Sequence, residues 1–301
     1  MSVSLRCYST SLGCPKNRVD TERLLGSLGV ALVPVESPDE AELVFINTCA
    51  FIQPATEESV RTIAQAIADI EELPKRPLLA VAGCLVGRYH AEDLAPELPE
   101  VDLWLDNNDL EAWPAMLARK LGLPEPTVPG RILSTGPSYA WLKISDGCRH
   151  ACSFCAIPNI RGGHRSHCKD MIVREARALL DQGVKELNLV AQDLTEWGCD
   201  LDGKQDLRTL LDGLLPLPGL ERLRLMYLYP AGMTHEMLKY LCEAGKPFVP
   251  YFDVPVQHSH PDVLSRMGRP FARNPREAID RIRNVFPEAP RRTSIWGGFP
   301  G

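Results

Sequence analysis

Apolar positions along the first 120 residues fall into two rhythms. Leu5–Ser9, Leu43–Asn47 and Leu78–Ala82 are short runs that read as strands, and the unbroken apolar character of the last suits a strand buried on both faces. Between them, Val19–Leu28 and Ala55–Leu73 carry apolar residues at helical spacing. Glu57 and Glu58 are expected near the start of the second helix, where acidic side chains suit its dipole. The alternation of strand and helix predicts a parallel sheet with helices on both faces, an α/β fold.

The rhythm breaks at Gly122–Pro137, where Pro124, Pro126, Pro129, Gly130, Gly136 and Pro137 cluster, and this stretch reads as an interdomain linker. A second α/β series follows. Strands are expected at Ala140–Ile144, Glu186–Val190, Arg222–Met226, Tyr251–Val254 and Thr293–Gly297. Helices are expected at Met171–Gln182, Leu207–Leu215, Thr234–Glu243 and Pro275–Val285. Five βα-type strands with right-handed crossovers make an incomplete barrel. The predicted organisation is therefore an N-terminal domain over residues 1–122, a linker over 123–137 and a partial (βα) barrel over 138–301.

Composition narrows the class. With 301 residues, 45% hydrophobic and 24% charged, the chain matches an ordinary globular protein of about two domains. The net charge of -6 and a pI near 5.7 argue against a dedicated nucleic-acid binder. Met1–Thr10 has no apolar stretch suited to a signal peptide, and the longest apolar run, Leu78–Val86, is far short of a membrane span. A cytoplasmic monomer with no membrane contact is the expectation. In a reducing compartment, ten cysteines point to metal ligation or catalysis rather than disulfides.

Six of those cysteines form two patterns. Cys14, Cys49 and Cys84 stand 35 residues apart, each just after a predicted strand. In a parallel sheet those points share the carboxyl edge, where open α/β folds bind ligands. The plain alternative is three buried, inert cysteines. Cys148, Cys152 and Cys155 form a compact C-x-x-x-C-x-x-C run after the strand Ala140–Ile144, at the carboxyl end of a barrel strand. A structural zinc there needs a fourth ligand, for which His150 and His164 are the nearby candidates. Three thiolates and three thiolates otherwise make the ligand set for two iron–sulfur clusters, each with one iron left open.

The compact run, with Phe154 before its last cysteine, resembles the radical S-adenosylmethionine (SAM) signature, and the resemblance extends along nearly the whole chain. Leu12–Asn17 (LGCPKN), Asn47–Cys49 (NTC), Ala82–Cys84 (AGC) and Cys152–Pro158 (CSFCAIP) with Arg161 and Gly162 are similar to the methylthiotransferase family. So are Ala191–Asp193 (AQD), Tyr227–Pro230 (YLYP), Pro255–His258 (PVQH) and Gly298–Gly301 (GFPG). The resemblance implies that Cys14, Cys49 and Cys84 hold an auxiliary [4Fe–4S] cluster in a methylthiotransferase domain, and that Cys148, Cys152 and Cys155 hold the [4Fe–4S] cluster of a radical-SAM barrel.

Two branches of the family differ in substrate: a prenylated adenosine of transfer RNA, or an aspartate of the small-subunit ribosomal protein number twelve. GCPKN at Cys14, and Phe51 and Ile52 followed by Glu57, Glu58 and Ser59, look like the aspartate branch, and the acidic pI points the same way. The implied reaction uses two SAM. One methylates a sulfur on the auxiliary cluster; the other is cleaved reductively to an adenosyl radical, which takes a hydrogen from the aspartate β-carbon, and the carbon radical accepts the methylthio group. Flavodoxin or ferredoxin is the implied reductant. The transfer RNA branch and a catalytically silent iron–sulfur protein are the competing readings.

Smaller expectations complete the site. Phe154 is expected near the SAM adenine or in a plain core role. Gln192 and Asp193 end the second barrel strand, Gln257 and His258 the fourth, and both pairs are expected to contact SAM or substrate, or else to form a polar network. Lys16 and Asn17 orient the auxiliary cluster or cap the loop. Arg161 contacts SAM or forms a surface salt bridge. Cys7, Cys168, Cys199 and Cys242 are expected to be structural or incidental. Against the family pattern, the chain carries no last βα unit and no TRAM barrel, so it is expected to be truncated at the C-terminus, with direct nucleic-acid binding not expected. Trp296 and Gly297 stand where aliphatic residues are usual, and His167 and Cys168 where Arg-Pro is common.

Overall fold

The computed structural model describes residues 4–126, 128–269 and 274–300, so Met1–Val3, Thr127 of the expected linker and Gly301 of the GFPG turn lie outside the described residues. The chain forms two compact units, one of Met1–Ser134 and Asn159–Arg161, the other of Thr135–Pro158 and Gly162–Gly301.

In the first unit, β1 (Ser4–Ser11), β2 (Ala31–Pro34), β3 (Leu43–Thr48), β4 (Leu78–Gly83) and β5 (Leu103–Asp106) make an all-parallel sheet in the order β2-β1-β3-β4-β5. Every residue of the central strand β3 is buried, because the sheet is covered on both faces. Leu43 and Phe45 pack with Leu24, Leu25, Trp113 and Leu117, from α1 (Pro15–Ser27) and a later helix, Trp113–Leu121. The alternate residues, Val44 and Ile46, belong to the opposite face, under α2 (Gln53–Ile70), which buries Ile63, Ala66 and Ile70. Next in the chain come α3 (Cys84–Tyr89) and α4 (Ala91–Leu94), and Trp113–Leu121 is α5.

The two edge strands, β2 and β5, were not foreseen. Each is four residues long, and β2 is largely exposed, with Val33 at 44%, so neither carries the apolar run that marks β3 and β4. Glu57 and Glu58 need correction as well. α2 starts at Gln53 and has no acidic residue in its first turn, so both lie beyond the reach of its dipole. The Pro- and Gly-rich stretch runs along α1. Arg131 pairs with the buried Glu22 at 2.6 Å, the Ser134 hydroxyl donates to the same carboxylate at 2.6 Å, and the Gly130 amide donates to Ser27 Oγ at 3.1 Å.

In the second unit, β6 (Tyr139–Lys143), β7 (Ser145–Asp146), α6 (Ile157–Arg161), β8 (Arg165–Ser166), α7 (Lys169–Asp181), β9 (Glu186–Val190), α8 (Leu207–Leu214), β10 (Arg222–Leu225), α9 (His235–Ala244), β11 (Phe252–Asp253), α10 (Pro261–Arg266), α11 (Pro275–Val285) and β12 (Arg291–Arg292) follow in order; the last three residues of α6 belong to the first unit. β10, β9 and β6 form a parallel sheet. β11 and β12 form a separate parallel pair, and an isolated Leu223–Phe248 bridge ties β10 to the segment just before β11. The fourth strand is shorter than expected, and the fifth, Arg291–Arg292, ends before the expected Thr293–Gly297, where among the described residues only Ile295 pairs, in a bridge to Gln257. α8 shows why its sequence reads so clearly: Leu207, Leu210, Leu211 and Leu214 are all buried, and Asp206 accepts from the Thr209 amide at 3.0 Å in a capping box. Among the described residues no helix is long and apolar enough to cross a membrane.

Candidate functional site

The first thiol set is built by the sheet. β1, β3 and β4 are neighbours, and their carboxyl ends carry Cys14 as N-cap of α1, Cys49 one residue past β3 and Cys84 as first residue of α3. Two glycines allow the approach. Gly83 has φ +101, and a Cβ there would sit 2.3 Å from Asn47 Oδ1; Gly13 has φ +84, and a Cβ there would sit 2.8 Å from Cys49 Sγ. L side chains are strained in that region of backbone space.

A buried polar lattice fixes these strand ends. Asn17, with no exposed surface, donates through Nδ2 to the carbonyls of Leu12 (2.9 Å) and Thr48 (2.8 Å). Its Oδ1 accepts from Arg161 Nη2 at 2.5 Å and lies 3.7 Å from Cys84 Sγ. Ser59 Oγ bonds both backbone groups of Cys49, at 3.0 and 2.7 Å. Arg161 itself pairs with Asp20 at 3.1 Å, both side chains 2% exposed. Arg161 therefore belongs to this buried lattice, which corrects the expected surface salt bridge. Lys16 is buried as well.

The thiols of Cys49 and Cys84 are close enough to perturb each other's ionisation. Their interaction, with help from the Arg161 guanidinium, lowers the Cys84 thiol, while the same interaction and burial push Cys49 up. Asn107 Nδ2 lies 3.6 Å from Cys84 Sγ, and its Oδ1 has no hydrogen-bond partner among the described residues. Soft sulfur donors and an unanswered amide fit an iron–sulfur cluster.

The second thiol set is built by a loop. β7 and β8 pair antiparallel, Ser145 with Ser166 and Asp146 with Arg165, and close the base of residues 147–164, which carry Cys148, Cys152 and Cys155. A Cβ on Gly147, φ +65, would lie 2.0 Å from the Gly163 carbonyl oxygen. Under this base Lys143 Nζ, Asp146 and His167 form a buried network, with bonds of 2.8 and 3.1 Å to Asp146. His167, which departs from the common Arg-Pro, supplies the third member of that network. Burial pushes the Cys148 thiol up to about 11, against the pull of the His150 amide at 3.4 Å, and raises Cys155 as well.

His150 is turned to Asp193, Nε2 to Oδ2 at 2.8 Å, and stacks on Tyr229 with ring centroids 4.2 Å apart. His164 bonds Ser166 Oγ at 3.0 Å and lies 3.5 Å from Asp200. Neither histidine is thereby turned to the thiols as the fourth ligand a structural zinc needs. Asp193, 3% exposed at the end of β9, also accepts from the amide and hydroxyl of Thr195. Beside it, both amide atoms of Gln192 are shut from solvent without a hydrogen-bond partner among the described residues, an arrangement that costs free energy unless a ligand answers it. Gln257 has the left-handed φ of +70 and bonds the backbone of Ser294 and Trp296, while His258 Nδ1 accepts from the His260 amide. Phe154 packs edge-on against Trp296, centroids 4.8 Å apart, and against Leu264 and Met267. Donor chemistry and the orphaned Gln192 amide fit a cluster with a polar organic cofactor beside it.

Two features escaped the sequence reading. Arg269, 5% exposed, lies 3.7 Å from Cys152 Sγ through Nη1. Cys199 comes within 4.8 Å of ligand atoms of His164 and Asp200, a proximity hidden by 35 residues of separation from His164. Cys7 is a core residue, as expected, its thiol pushed up to about 12 by burial.

Comparison with known proteins gives the same partition. The uncharacterized protein family UPF0004 matches residues 6–106, and the radical SAM superfamily matches residues 142–301. The ribosomal protein uS12 methylthiotransferase RimO of Nitratidesulfovibrio vulgaris (strain DP4) is 68% identical over 98% of this chain and 68% of its own length. That of Oleidesulfovibrio alaskensis is 67% identical with the same coverage, and that of Lawsonia intracellularis 61% identical over the whole chain and 68% of its own. Among solved structures, the radical SAM methyltransferase TsrM from Kitasatospora setae, with cobalamin and a [4Fe-4S] cluster, superposes with a TM-score of 0.64 at 14% identity, over 98% of this chain and 69% of TsrM. At that identity the likeness speaks for the fold alone.

Proposed function

The chain belongs to the RimO-type methylthiotransferases of the radical SAM superfamily, a family of transferase enzymes, and from that premise we propose that it adds a methylthio group to the β-carbon of an aspartate in ribosomal protein uS12. The observation that carries the reading is the gathering of Cys14, Cys49 and Cys84 on the ends of three adjoining strands, in a chain that holds a second thiol triad of radical-SAM spacing. One triad suffices for radical chemistry alone. A second, kept on a rigid sheet edge, suits the delivery of sulfur.

In this reading Cys14, Cys49 and Cys84 hold one [4Fe–4S] cluster and Cys148, Cys152 and Cys155 another. When bound, the clusters and SAM supply one-electron chemistry and the transferred methylthio group. The chain's own residues position them. Asn17 and Arg161 keep the first strand ends in register, and all three thiols must lose their protons for their sulfurs to become ligands. His150, fixed by Asp193 and Tyr229, orients the second loop. The Gln192 amide offers a donor and an acceptor to the polar groups of SAM; Asp193 past β9, and Gln257 and His258 past β11, are further contacts in this reading, and Phe154 offers an apolar edge. The division into residues 1–122, 123–137 and 138–301, a monomeric cytoplasmic state, and a flavodoxin- or ferredoxin-type reductant belong to the same proposal.

Anaerobic reconstitution with iron and sulfide should load about eight irons per chain, as two [4Fe–4S] clusters require. Incubation with SAM, reductant and either uS12 or transfer RNA, followed by mass spectrometry, should place the methylthio group on the protein. A product on transfer RNA alone overturns the substrate. About four irons, unchanged by joint Cys14→Ala, Cys49→Ala and Cys84→Ala substitution, overturns the two-cluster reading.

A further inference from the structure

The segment that ends α10 grips the cysteine loop. The Ser153 amide donates to the Met267 carbonyl and the Ser153 hydroxyl to the Arg266 carbonyl, each at 3.0 Å. A Cβ on Gly268, φ +69, would lie 2.6 Å from the Ala151 carbonyl oxygen, so glycine is what lets the two segments meet. The next residue is Arg269. Its Nη2 donates to the Pro255 carbonyl at 2.9 Å, its guanidinium carbon lies 4.4 Å from the Tyr229 ring centroid, and its Nη1 approaches Cys152 Sγ at 3.7 Å. Its Nε, shut from solvent, has no hydrogen-bond partner among the described residues.

A buried guanidinium is costly unless its charge is answered. A carbonyl and a ring face answer part of it. Of the three partners only the cysteine sulfur carries an opposite charge at neutral pH, and it does so once it is a metal ligand. Resting on the reading of Cys148, Cys152 and Cys155 as cluster ligands, we propose that Arg269 is a positioning residue that donates to the ligated Cys152 sulfur and raises the reduction potential at that site. The reduced state holds one more negative charge than the oxidised state, and hydrogen bonds to ligand sulfurs favour it. The brace at Ser153 and Gly268 keeps the guanidinium in place while the loop takes up its metal.

The test uses the full chain carrying Cys14→Ala, Cys49→Ala and Cys84→Ala, so that one cluster loads. Dithionite is the reductant, and electron paramagnetic resonance at set potentials reads the reduced fraction. Arg269→Met should lower that fraction about tenfold at a poise well below half-reduction, equivalent to about 59 mV for a one-electron couple. Arg269→Lys, which keeps the charge, should recover part of the loss. An unchanged midpoint in Arg269→Met overturns the proposal, because a purely structural role leaves the potential where it was. Should Arg269→Met take up no iron, Arg269→Gln decides by the same midpoint. Where the triple background does not load, the unsubstituted chain serves, with only one of two reduction waves expected to move. No uptake by Cys148, Cys152 and Cys155 in the unsubstituted chain overturns the site reading and this proposal together; uptake with equal midpoints overturns this proposal alone.

Discussion

Cys14, Cys49 and Cys84 sit on the ends of three hydrogen-bonded strands, whereas Cys148, Cys152 and Cys155 share one loop closed by a pair of two-residue strands. The first triad draws its geometry from residues far apart in sequence, so the sheet itself is the scaffold, and the side chains that fix it (Asn17, Asp20, Arg161) are almost wholly buried. The second draws its spacing from the sequence and needs only to be braced, by His150 on Asp193 and Tyr229 and by Ser153 on Arg266 and Met267. Fold and site are therefore inseparable in the first case and separable in the second. Damage around the first triad should appear as lost stability, and damage around the second as lost metal uptake.

The strongest test of that contrast is Arg161→Met. It removes the cation facing Asp20 in a pair with both side chains 2% exposed, and it strips a donor from Asn17. Breaking a buried ion pair from one side costs about 3–5 kcal/mol. Urea unfolding followed by hydrogen exchange of the β1, β3 and β4 amides should show a loss of that size. A loss below about 1 kcal/mol would show that the strand ends hold together without the lattice, and the contrast would fail.

The same substitution can be made in both regions. Gly83→Ala puts a Cβ 2.3 Å from Asn47 Oδ1 and 2.6 Å from the Thr48 carbonyl oxygen, at φ +101, where the neighbouring sheet cannot yield. A destabilisation of about 2–3 kcal/mol is expected. Gly147→Ala puts a Cβ 2.0 Å from the Gly163 carbonyl oxygen, at φ +65, against backbone that belongs to the cysteine loop rather than to a sheet. It should cost about 1–2 kcal/mol, less than Gly83→Ala because the distortion stays within one loop, while iron uptake by Cys148, Cys152 and Cys155 falls several-fold. Equal stability losses in the two variants would erase the distinction.

Much of this was legible in the sequence, and the exceptions share a cause. Leu43–Thr48 and Leu78–Gly83 were readable because buried parallel strands are apolar throughout, and the post-strand cysteines followed from them. β2 and β5 were not, because an edge strand is buried on too little of its surface to need that pattern. Gln192 and Asp193 do end the second barrel strand, as their position after Val190 implied. Arg161 misled because it follows the cysteine motif in sequence yet packs with α1, more than 140 residues earlier. Arg269 was invisible because its meaning arises only where α10 ends against the loop, 117 residues from Cys152.

The smallest expected effect concerns a cysteine outside both triads. Cys7 lies in the core of the first sheet, 5% exposed, and burial raises its thiol from an ordinary value near 9 to about 12. Its folded pKa is raised, so its contribution is fully present below the unfolded value and is lost as pH climbs from about 9 toward 12, where the unfolded chain releases the proton and the folded chain keeps it. Between pH 9 and pH 10 that loss is about 1 kcal/mol, from 1.36 kcal/mol per unit once the unfolded thiol is ionised. Cys7→Ala should be less stable at pH 7, because a buried sulfur is removed, but its stability should fall less steeply over that interval. Urea unfolding of the metal-free chain at the two pH values checks it. Parallel slopes for the two proteins would mean that the thiol gains solvent before it ionises, and that the sheet supporting Cys14, Cys49 and Cys84 is looser on its β1 side than the burial of Cys7 implies.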